Sequence, residues 1–390
     1  MCRRAIGVLL VIWLSVSGCG SLLGTTAVAP QTPMSVPPVP SATPDAVLLR
    51  VRGEVRLQQA ITGWVTPASF GDYLWRGDVI VTGQNAQAEA VCSDGESVHV
   101  LSSQSVIITC GGIPDPVYQR VIVRIHSRQI EALPVNRFGP PESGNVPVVL
   151  SPRNTWLTEG RPEIRWRAVE GADDYQVTVL GPKGELWRAA VQETELPYPR
   201  AQPALETGGS YLIQVTAEMG PAEQSQPSKE VLVTVLSAAD AGRVHQFEAH
   251  VEALGLAAES ARFLLAAYYA DQKLYDAATV ELVSLAKETC SPLVHRLLAD
   301  VYLAVGLDGE ASQSYQEAYR LAQGQGDWLV LAEVEVGLGH IAYAAKDFEN
   351  ALSHYQAALI LYRKLGLESD AETVTKFVAN TEARFPTPTP

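Results

Sequence analysis

The sequence predicts a multidomain protein with two all-β domains followed by an α-helical repeat domain. From residue 46 to residue 236, short segments alternate apolar with polar side chains, which is the period of half-buried strands. From residue 240 onward alanine, leucine and glutamate dominate and proline nearly vanishes, a composition that favours helices. The length of 390 residues fits this division, because single hydrophobic cores stop growing at roughly 250–300 residues.

The N-terminus has the layout of an export signal. Arg3 and Arg4 precede an almost wholly apolar stretch over residues 5–16, which is shorter than the roughly 20 residues of a membrane-spanning helix. Residues 16–19 read Val-Ser-Gly-Cys and resemble the lipobox of bacterial lipoproteins. The resemblance implies that residues 1–18 are a cleaved signal peptide and that Cys19 carries the lipid, a palmitate-type anchor. An ordinary cleaved signal with an incidental cysteine is the alternative.

Two proline-rich stretches lie outside the predicted domains. Residues 19–45 are rich in Pro, Ser, Thr and Ala, a composition that predicts an extended linker between the lipid and the first folded domain. Residues 386–390 read PTPTP and predict a disordered tail.

Residues 46–136 are predicted to form a small all-β domain. Asp94-Gly95 is a tight-turn signal between two strands, and Gly53 marks a bulge or kink. The expected strands cover residues 46–58, 79–82, 86–92, 97–101, 106–110 and 117–126.

Two stretches of this domain carry a family resemblance. Residues 49–55 read LRVRGEV and residues 74–83 read LWRGDVIVTG, and in this order they resemble the FecR-type domain. The family takes its name from a periplasmic signalling protein that receives a message from an outer-membrane receptor. Because no uncleaved membrane span accompanies the motif here, we do not expect transmembrane signalling.

The cysteines of an exported protein can form disulfides. Cys92 and Cys110 are the candidate pair, which would close a loop of about 19 residues. If both lay on strands flanking a third strand they would be about 9–10 Å apart, beyond the reach of a bridge, so the pairing stays open. Cys290 is expected to be a buried thiol among helices.

Residues 145–236 are predicted to form a second β domain. About seven short strands separated by glycine-containing turns suggest an immunoglobulin-like sandwich. The stretch PEIRW at 162–166, followed by Tyr175 and by Gly209-Ser-Tyr211, resembles a fibronectin type III domain. The resemblance implies a spacer or a binding platform.

Residues 240–385 contain internal repeats. Ala278, Ala311 and Ala351 recur with tyrosine or leucine four residues later, and Leu-Gly or Leu-Ala pairs precede the second and third of them. These positions resemble the tetratricopeptide repeat. The resemblance implies stacked helix pairs that curve into a solenoid, with the first helix of each pair lining the concave side.

The same resemblance selects candidate partner-binding residues. Positions of the repeat that line the concave side fall on Phe263, Arg296, Asp300 and His340, with Tyr343 adjacent. Aromatic and arginine side chains dominate binding hot spots, so we expect them to hold an extended peptide or a partner helix. The alternative is that several of them only pack between repeats.

No pattern in the sequence predicts catalysis. The histidines form no HExxH pair, no Gly-x-Ser-x-Gly elbow or phosphate loop occurs, and the cysteines lack metal-ligand spacing. The net charge of −14 argues against a nucleic-acid partner. We therefore expect no enzyme activity, no cofactor, no metal and no small-molecule substrate.

These observations lead to one functional hypothesis and one alternative. The first is a non-catalytic lipoprotein of the cell envelope, anchored to the membrane on its outer face or in the periplasm, that binds protein partners through its tetratricopeptide groove. The alternative is an envelope sensor, or a cell-wall or glycan-binding protein, that uses the FecR-like domain.

Overall fold

The computed structural model describes residues 43–125, 146–219 and 226–385. The predicted signal peptide, the predicted lipidation site Cys19 and the tail 386–390 lie outside the described residues, as does most of the predicted linker. The predicted fold class is confirmed, because two β regions built mainly from antiparallel strands precede a run of helices consistent with a solenoid.

The first β unit contains two four-stranded antiparallel sheets. One has the order β4-β1-β6-β7 and the other β3-β2-β5-β8. The strands are β1 (Ala46–Arg52), β2 (Val55–Gln58), β3 (Val65–Pro67), β4 (Tyr73–Leu74), β5 (Val79–Thr82), β6 (Gln87–Cys92), β7 (Ser97–Val100) and β8 (Ser105–Ile107). Gly53, predicted as a kink, turns the chain from one sheet to the other with a positive φ of 74°, and a Cβ there would lie 2.9 Å from the Cα of Ala86.

The strand predicted over residues 117–126 is wrong, because this segment forms helix α1 (Pro116–Ile125). Tyr118, Val121, Ile122 and Ile125 are all buried, and their spacing of three, one and three residues places them on one face of a helix. The run of apolar side chains between 121 and 125 satisfies a strand pattern as well, so the period is ambiguous over this short length.

The second β unit is a sandwich of two sheets. One has the order β10-β17-β15-β12-β13 with β16 paired to β15, and the other β14-β11-β9. The strands are β9 (Val148–Ser151), β10 (Thr155–Leu157), β11 (Glu163–Arg167), β12 (Ala172–Gly181), β13 (Gly184–Val191), β14 (Glu195–Pro197), β15 (Ser210–Met219), β16 (Gln226–Pro227) and β17 (Val231–Val235). Trp166 and Tyr175 meet edge to face in the core between the sheets, with ring centroids 5.5 Å apart.

The helical region begins directly after β17. Its helices are α2 (Ala238–Ala253), α3 (Ala258–Asp271), α4 (Tyr275–Glu288), α5 (Pro292–Val305), α6 (Asp308–Gln325), α7 (Trp328–Ala344), α8 (Phe348–Leu365) and α9 (Glu368–Glu382). Consecutive helices pack against one another from α2 to α9, as in a solenoid.

Small residues allow these helices to approach closely. Ala278, Ala311 and Ala351 have no exposed surface. A Cβ at Gly337 would lie 2.2 Å from the ring of Tyr315, so α7 and α6 meet at a distance that only glycine permits. The recurring small and aromatic residues seen in the sequence are therefore the contacts between neighbouring helices.

Candidate interaction surface

Helix α1 of the first β unit lies against the helical region. It packs on α3, and its C-terminal end reaches α5. Helices α3 and α5 are the first helices of the pairs α3–α4 and α5–α6. The sequence predicted that the first helix of each pair lines the concave side. Val121, Ile122 and Ile125 share one core with residues of α3 and α5, so this part of the surface is occupied by the chain itself.

Arg296 lies at the centre of this contact and is fully buried. Its guanidinium donates a hydrogen bond to the carbonyl oxygen of Ile125, the last residue of α1. It also lies 2.5 Å from an Asp300 carboxylate oxygen and 3.3 Å from one of Glu333. The hydroxyl of Tyr315 donates to the other Asp300 oxygen at 2.6 Å. The carbonyls at a helix C-terminus carry partial negative charge, so the cation complements both the helix end and the two carboxylates.

The charge of Arg296 is maintained in spite of its burial. Removal from water by itself favours the neutral form, but the carboxylates of Glu333 and Asp300 outweigh this effect and raise the pKa of the guanidinium. Arg296 and Asp300 thus position α1, and Arg296 has no surface available to a separate partner in this arrangement.

Phe263 is occupied in the same way. It has no exposed surface and meets Phe70, which precedes β4, edge to face at 4.7 Å between ring centroids. The sequence proposed Phe263 as a partner-binding residue, whereas the structure places it inside the contact between the first β unit and α3. Its burial within the chain was not foreseeable from the repeat pattern, which describes only the helices.

His340 and Tyr343 join the last three helices. His340 Nδ1 lies 2.8 Å from the hydroxyl of Tyr355 on α8, and its ring also packs on Phe377 of α9. Burial lowers the pKa of His340 to about 4, which keeps it neutral. The hydroxyl of Tyr343 accepts a hydrogen bond from Arg384 Nε at 2.9 Å. Both residues therefore pack between helices, the alternative that the sequence left open.

A second polar contact joins the first β unit to α3. Glu89 of β6 accepts hydrogen bonds from Arg50 at 2.9 Å and from the backbone amide of Ala257, the N-cap of α3, at 3.0 Å. The hydroxyl of Ser260 lies 3.0 Å from the same carboxylate and 2.9 Å from the carbonyl oxygen of Leu49. Burial tends to raise the pKa of Glu89, but these hydrogen bonds lower it overall. A carboxylate from one unit thus caps a helix of the other.

The sandwich contacts the helical region at helix ends. Arg153 Nε and Asn154 Nδ2 donate to the carbonyl oxygen of Val305, the last residue of α5, at 2.9 and 3.0 Å. The backbone amide of Trp156 donates to the carbonyl oxygen of Lys273, after α3, at 3.0 Å. Carbonyls at helix ends have no partner within the helix, and here the sandwich supplies partners for them.

A mostly apolar cavity of about 250 Å³ lies between β1 and the helical region. Phe70, Leu285 and Val294 line it together with Arg52 and Glu259, which form an ion pair at 3.2 Å. Within the described residues no group of His, Cys, Asp and Glu is arranged to hold a metal ion.

The cysteines differ in their surroundings. Cys92 and Cys110 are joined by a disulfide, with their Cα atoms 5.7 Å apart. Cys92 ends β6 in one sheet, while Cys110 follows β8 of the other sheet, so the two do not flank a common third strand. The prediction that Cys290 is a buried thiol is wrong, because the residue is exposed just after α4 and is disulfide-bonded. In the described part of the chain no helix has the length and apolar character to span a bilayer.

Comparison with known proteins gives matches to solved structures alone. No family model matches the chain, and no curated protein does. One similar structure is titled a cell surface anchoring domain, with 20% identity, 17% of this chain and 88% of the other covered, and a TM-score of 0.17. A second is the FN1–FN3 domains of chicken CNTN1, with 11% identity, 50% and 62% covered, and a TM-score of 0.17. A third is a β-1,2-glucanase from Parabacteroides distasonis, with 10% identity, 83% and 50% covered, and a TM-score of 0.22. The β-sandwich region and the run of packed helices that follows it are therefore described from the fold alone.

Proposed function

We propose that this protein is a non-catalytic lipoprotein of the bacterial cell envelope that binds protein partners through its helical region. Cys19 carries the lipid, the first β unit is of the FecR type and the helix pairs are tetratricopeptide repeats. The seating of α1 on α3 and α5 is the observation that supports this function. A concave side that accepts an amphipathic helix from its own chain has the chemistry to accept one from another protein.

The open part of this side is the place where a partner binds. α1 fills the side at α3 and α5, and its last residue, Ile125, meets Arg296. The first helix of the following pair is α7, which packs chiefly on α5, α6 and α8. Ala344, at a concave position of the repeat near the end of α7, is exposed. The partner segment therefore continues beyond the end of α1, across α7 and α9.

Site-specific photocrosslinking of the full chain in living cells of the host tests this function. The crosslinking amino acid replaces Ala344 on α7 in one strain and Ile360 on α8 in the other. Both positions are exposed and belong to the same helix pair, but only the first lies on the proposed binding side. We expect a discrete protein adduct from position 344 and none from position 360. Adducts from both positions, or from neither, would contradict the proposal.

The lipid anchor has a separate test. The mature protein isolated from membranes is expected to begin at Cys19 and to have the mass of an acylated chain by intact-protein mass spectrometry. A Cys19→Ala variant should not be processed at this site. A mature chain with an unmodified Cys19 would contradict the lipoprotein assignment without affecting the crosslinking result.

A further inference from the structure

One end of the first β unit exposes five large apolar side chains, which we call the apolar end. Their exposed fractions range from 37% for Trp64 to 92% for Ile113. The five residues are Ile61, Trp64, Val65, Ile107 and Ile113. Single exposed apolar side chains are ordinary, but a cluster at one end of a folded unit marks an interaction surface.

Sheet register brings part of the apolar end together. Val65 on β3 pairs with Gln58 on β2, which pairs with Val79 on β5, which pairs with Ile107 on β8. Residues directly opposite one another in a sheet point to the same face, so these four side chains form one row across it. Val65 and Ile107 are 53% and 57% exposed at the two edges of the row.

The turn that follows β2 lies at the same end. Ile61 is in this turn, and the amide of its neighbour Ala60 donates to Asp78 Oδ1 at 2.9 Å. Asp78 precedes β5, and its carbonyl oxygen accepts from the amide of Ile108 at 2.7 Å. The turn bearing Ile61 and Trp64 is thereby fixed beside the row.

The chain enters the β unit at this same end. Asp45 Oδ2 accepts from the amide of Arg76 at 2.8 Å, and the Arg76 side chain donates to the carbonyl oxygen of Cys110 at 2.9 Å. The carbonyl oxygen of Asp45 accepts from the amide of Ser93 at 2.7 Å, and the carbonyl oxygen of Ser93 accepts from Asp115 at 2.8 Å. Ile113 lies two residues before Asp115, so it shares this end with the start of the folded chain.

We propose that the apolar end is a membrane-contacting surface that inserts into the lipid headgroup region. The proposal rests on the lipid anchor at Cys19 proposed above. A tether through residues 19–45 joins the folded chain at Asp45, beside the apolar end, so it keeps this end within reach of the bilayer and raises the effective concentration of lipid around it. Aliphatic side chains beside a tryptophan suit the interface between headgroups and acyl chains, and stable anchoring commonly combines a lipid chain with a second contact.

Vesicle binding by an unacylated chain tests the proposal. The mature chain, residues 19–390 with Cys19→Ala, is sedimented with vesicles of phosphatidylethanolamine and phosphatidylglycerol. The test variant adds Ile61→Ser and Ile113→Ser, the two most exposed members of the apolar end. The matched control instead adds Val280→Ser and Ile360→Ser on helices α4 and α8, each 55% exposed.

We expect the unacylated chain to bind the vesicles and the test variant to bind at least about tenfold more weakly, since each substitution removes a side chain that would be buried in lipid. The control should bind like the parent chain. A variant with Ile61→Trp and Ile113→Trp should bind more tightly, which gives a gain of binding that misfolding cannot produce. No binding by the parent chain, or an equal loss in test and control variants, would overturn the proposal.

Two further outcomes are distinguishable. In the first, the parent chain does not bind vesicles but self-associates in sedimentation velocity, and the test variant does not self-associate. The apolar end is then an interface between two copies, and the proposal is wrong. An unmodified Cys19 in cells would refute the lipoprotein assignment, whereas vesicle binding by the unacylated chain would still stand as a property of the apolar end.

Discussion

Arg296 is the residue on which the contact between α1 and the helical region is centred. It links the C-terminal carbonyl of α1, Asp300 on its own helix and Glu333 on α7. A buried ion pair of this kind contributes little net stability compared with an apolar replacement of the whole group, but the loss of one partner leaves the others uncompensated. The charge network therefore specifies where α1 lies.

An Arg296→Ala variant should destabilise the folded chain by about 3–5 kcal/mol, because it removes a buried cation while the carboxylates of Asp300 and Glu333 stay in place. Denaturant unfolding followed by circular dichroism measures the effect. Arg320→Ala is the control, since Arg320 pairs with Glu317 on the exposed surface of α6, and we expect no shift of its midpoint. An Arg296→Ala chain as stable as the control would show that the network has no structural role.

His340 makes the stability depend on pH. Its pKa is about 4 in the folded chain and 6.5 in the unfolded one, so the unfolded state binds the proton more tightly. Stability from this residue is complete above pH 6.5 and is lost as the pH falls toward 4. We expect wild type to lose up to about 2 kcal/mol between pH 7 and pH 5 relative to His340→Gln. Chemical denaturation of both chains at the two pH values measures this, and parallel pH profiles would contradict it.

At the scale of elements, α1 differs from the strands that precede it. The β strands of the first unit complete two sheets, whereas α1 leaves the sheets and packs on α3. Glu89 strengthens the same contact because it caps the N-terminus of α3 from β6. The sandwich makes an analogous contact at the ends of α3 and α5 through residues 153–156. Both β units thus satisfy backbone groups that the helices leave unpaired.

The disulfide between Cys92 and Cys110 connects the two sheets of the first unit. The two residues are separated by 18 positions, and a closed loop of this size contributes about 3 kcal/mol by restricting the unfolded chain. A Cys92→Ser, Cys110→Ser chain should lose about this amount in thermal unfolding. Adding a reductant should destabilise the wild type more than the double variant, which keeps the disulfide of Cys290. A reductant effect of equal size in both chains would assign it to other cysteines.

At the scale of the whole molecule, the first β unit has one core between its two sheets and shares a second hydrophobic core with the helical region. That core runs from Val47 and Tyr73 through α1 to the helices of the solenoid as far as Val334. The sandwich has a core of its own and meets the solenoid through hydrogen bonds, an ion pair and a small apolar cluster that contains Val148, Val305 and Leu307. We therefore expect the first β unit and helices α2–α7 to unfold together.

A Phe263→Ala variant tests this coupling. Its cavity should cost about 3–5 kcal/mol, since Phe263 is fully buried between the two units. Hydrogen exchange followed by mass spectrometry should show faster exchange both in peptides of α3 and in those of β1 and β4. Val280→Ala, on the exposed face of α4, should change neither. Faster exchange confined to α3 would mean that the two units unfold independently.

The sequence by itself determined the class of each region, because hydrophobic period and small-residue spacing are local properties. Alternation marked the strands of both β units, and the spacing of Ala278, Ala311 and Ala351 marked the helix pairs. The prediction from sequence failed at residues 117–125, because a short run of mostly apolar side chains fits both the period of a helix and the period of a strand. The ten residues of α1 are too few for the pattern to decide, and burial on α3 decided it instead.

Only the tertiary structure decided what faces the concave side. Phe263 and Arg296 occupy repeat positions expected to line the concave side, and the sequence left open whether they bind a partner or pack between repeats. Their burial depends on α1 and Phe70, which are distant in the chain and meet the helices only when all the units fold together. Hydrophobic period reports which face of an element is apolar, but the element that covers that face is chosen by packing of the whole chain.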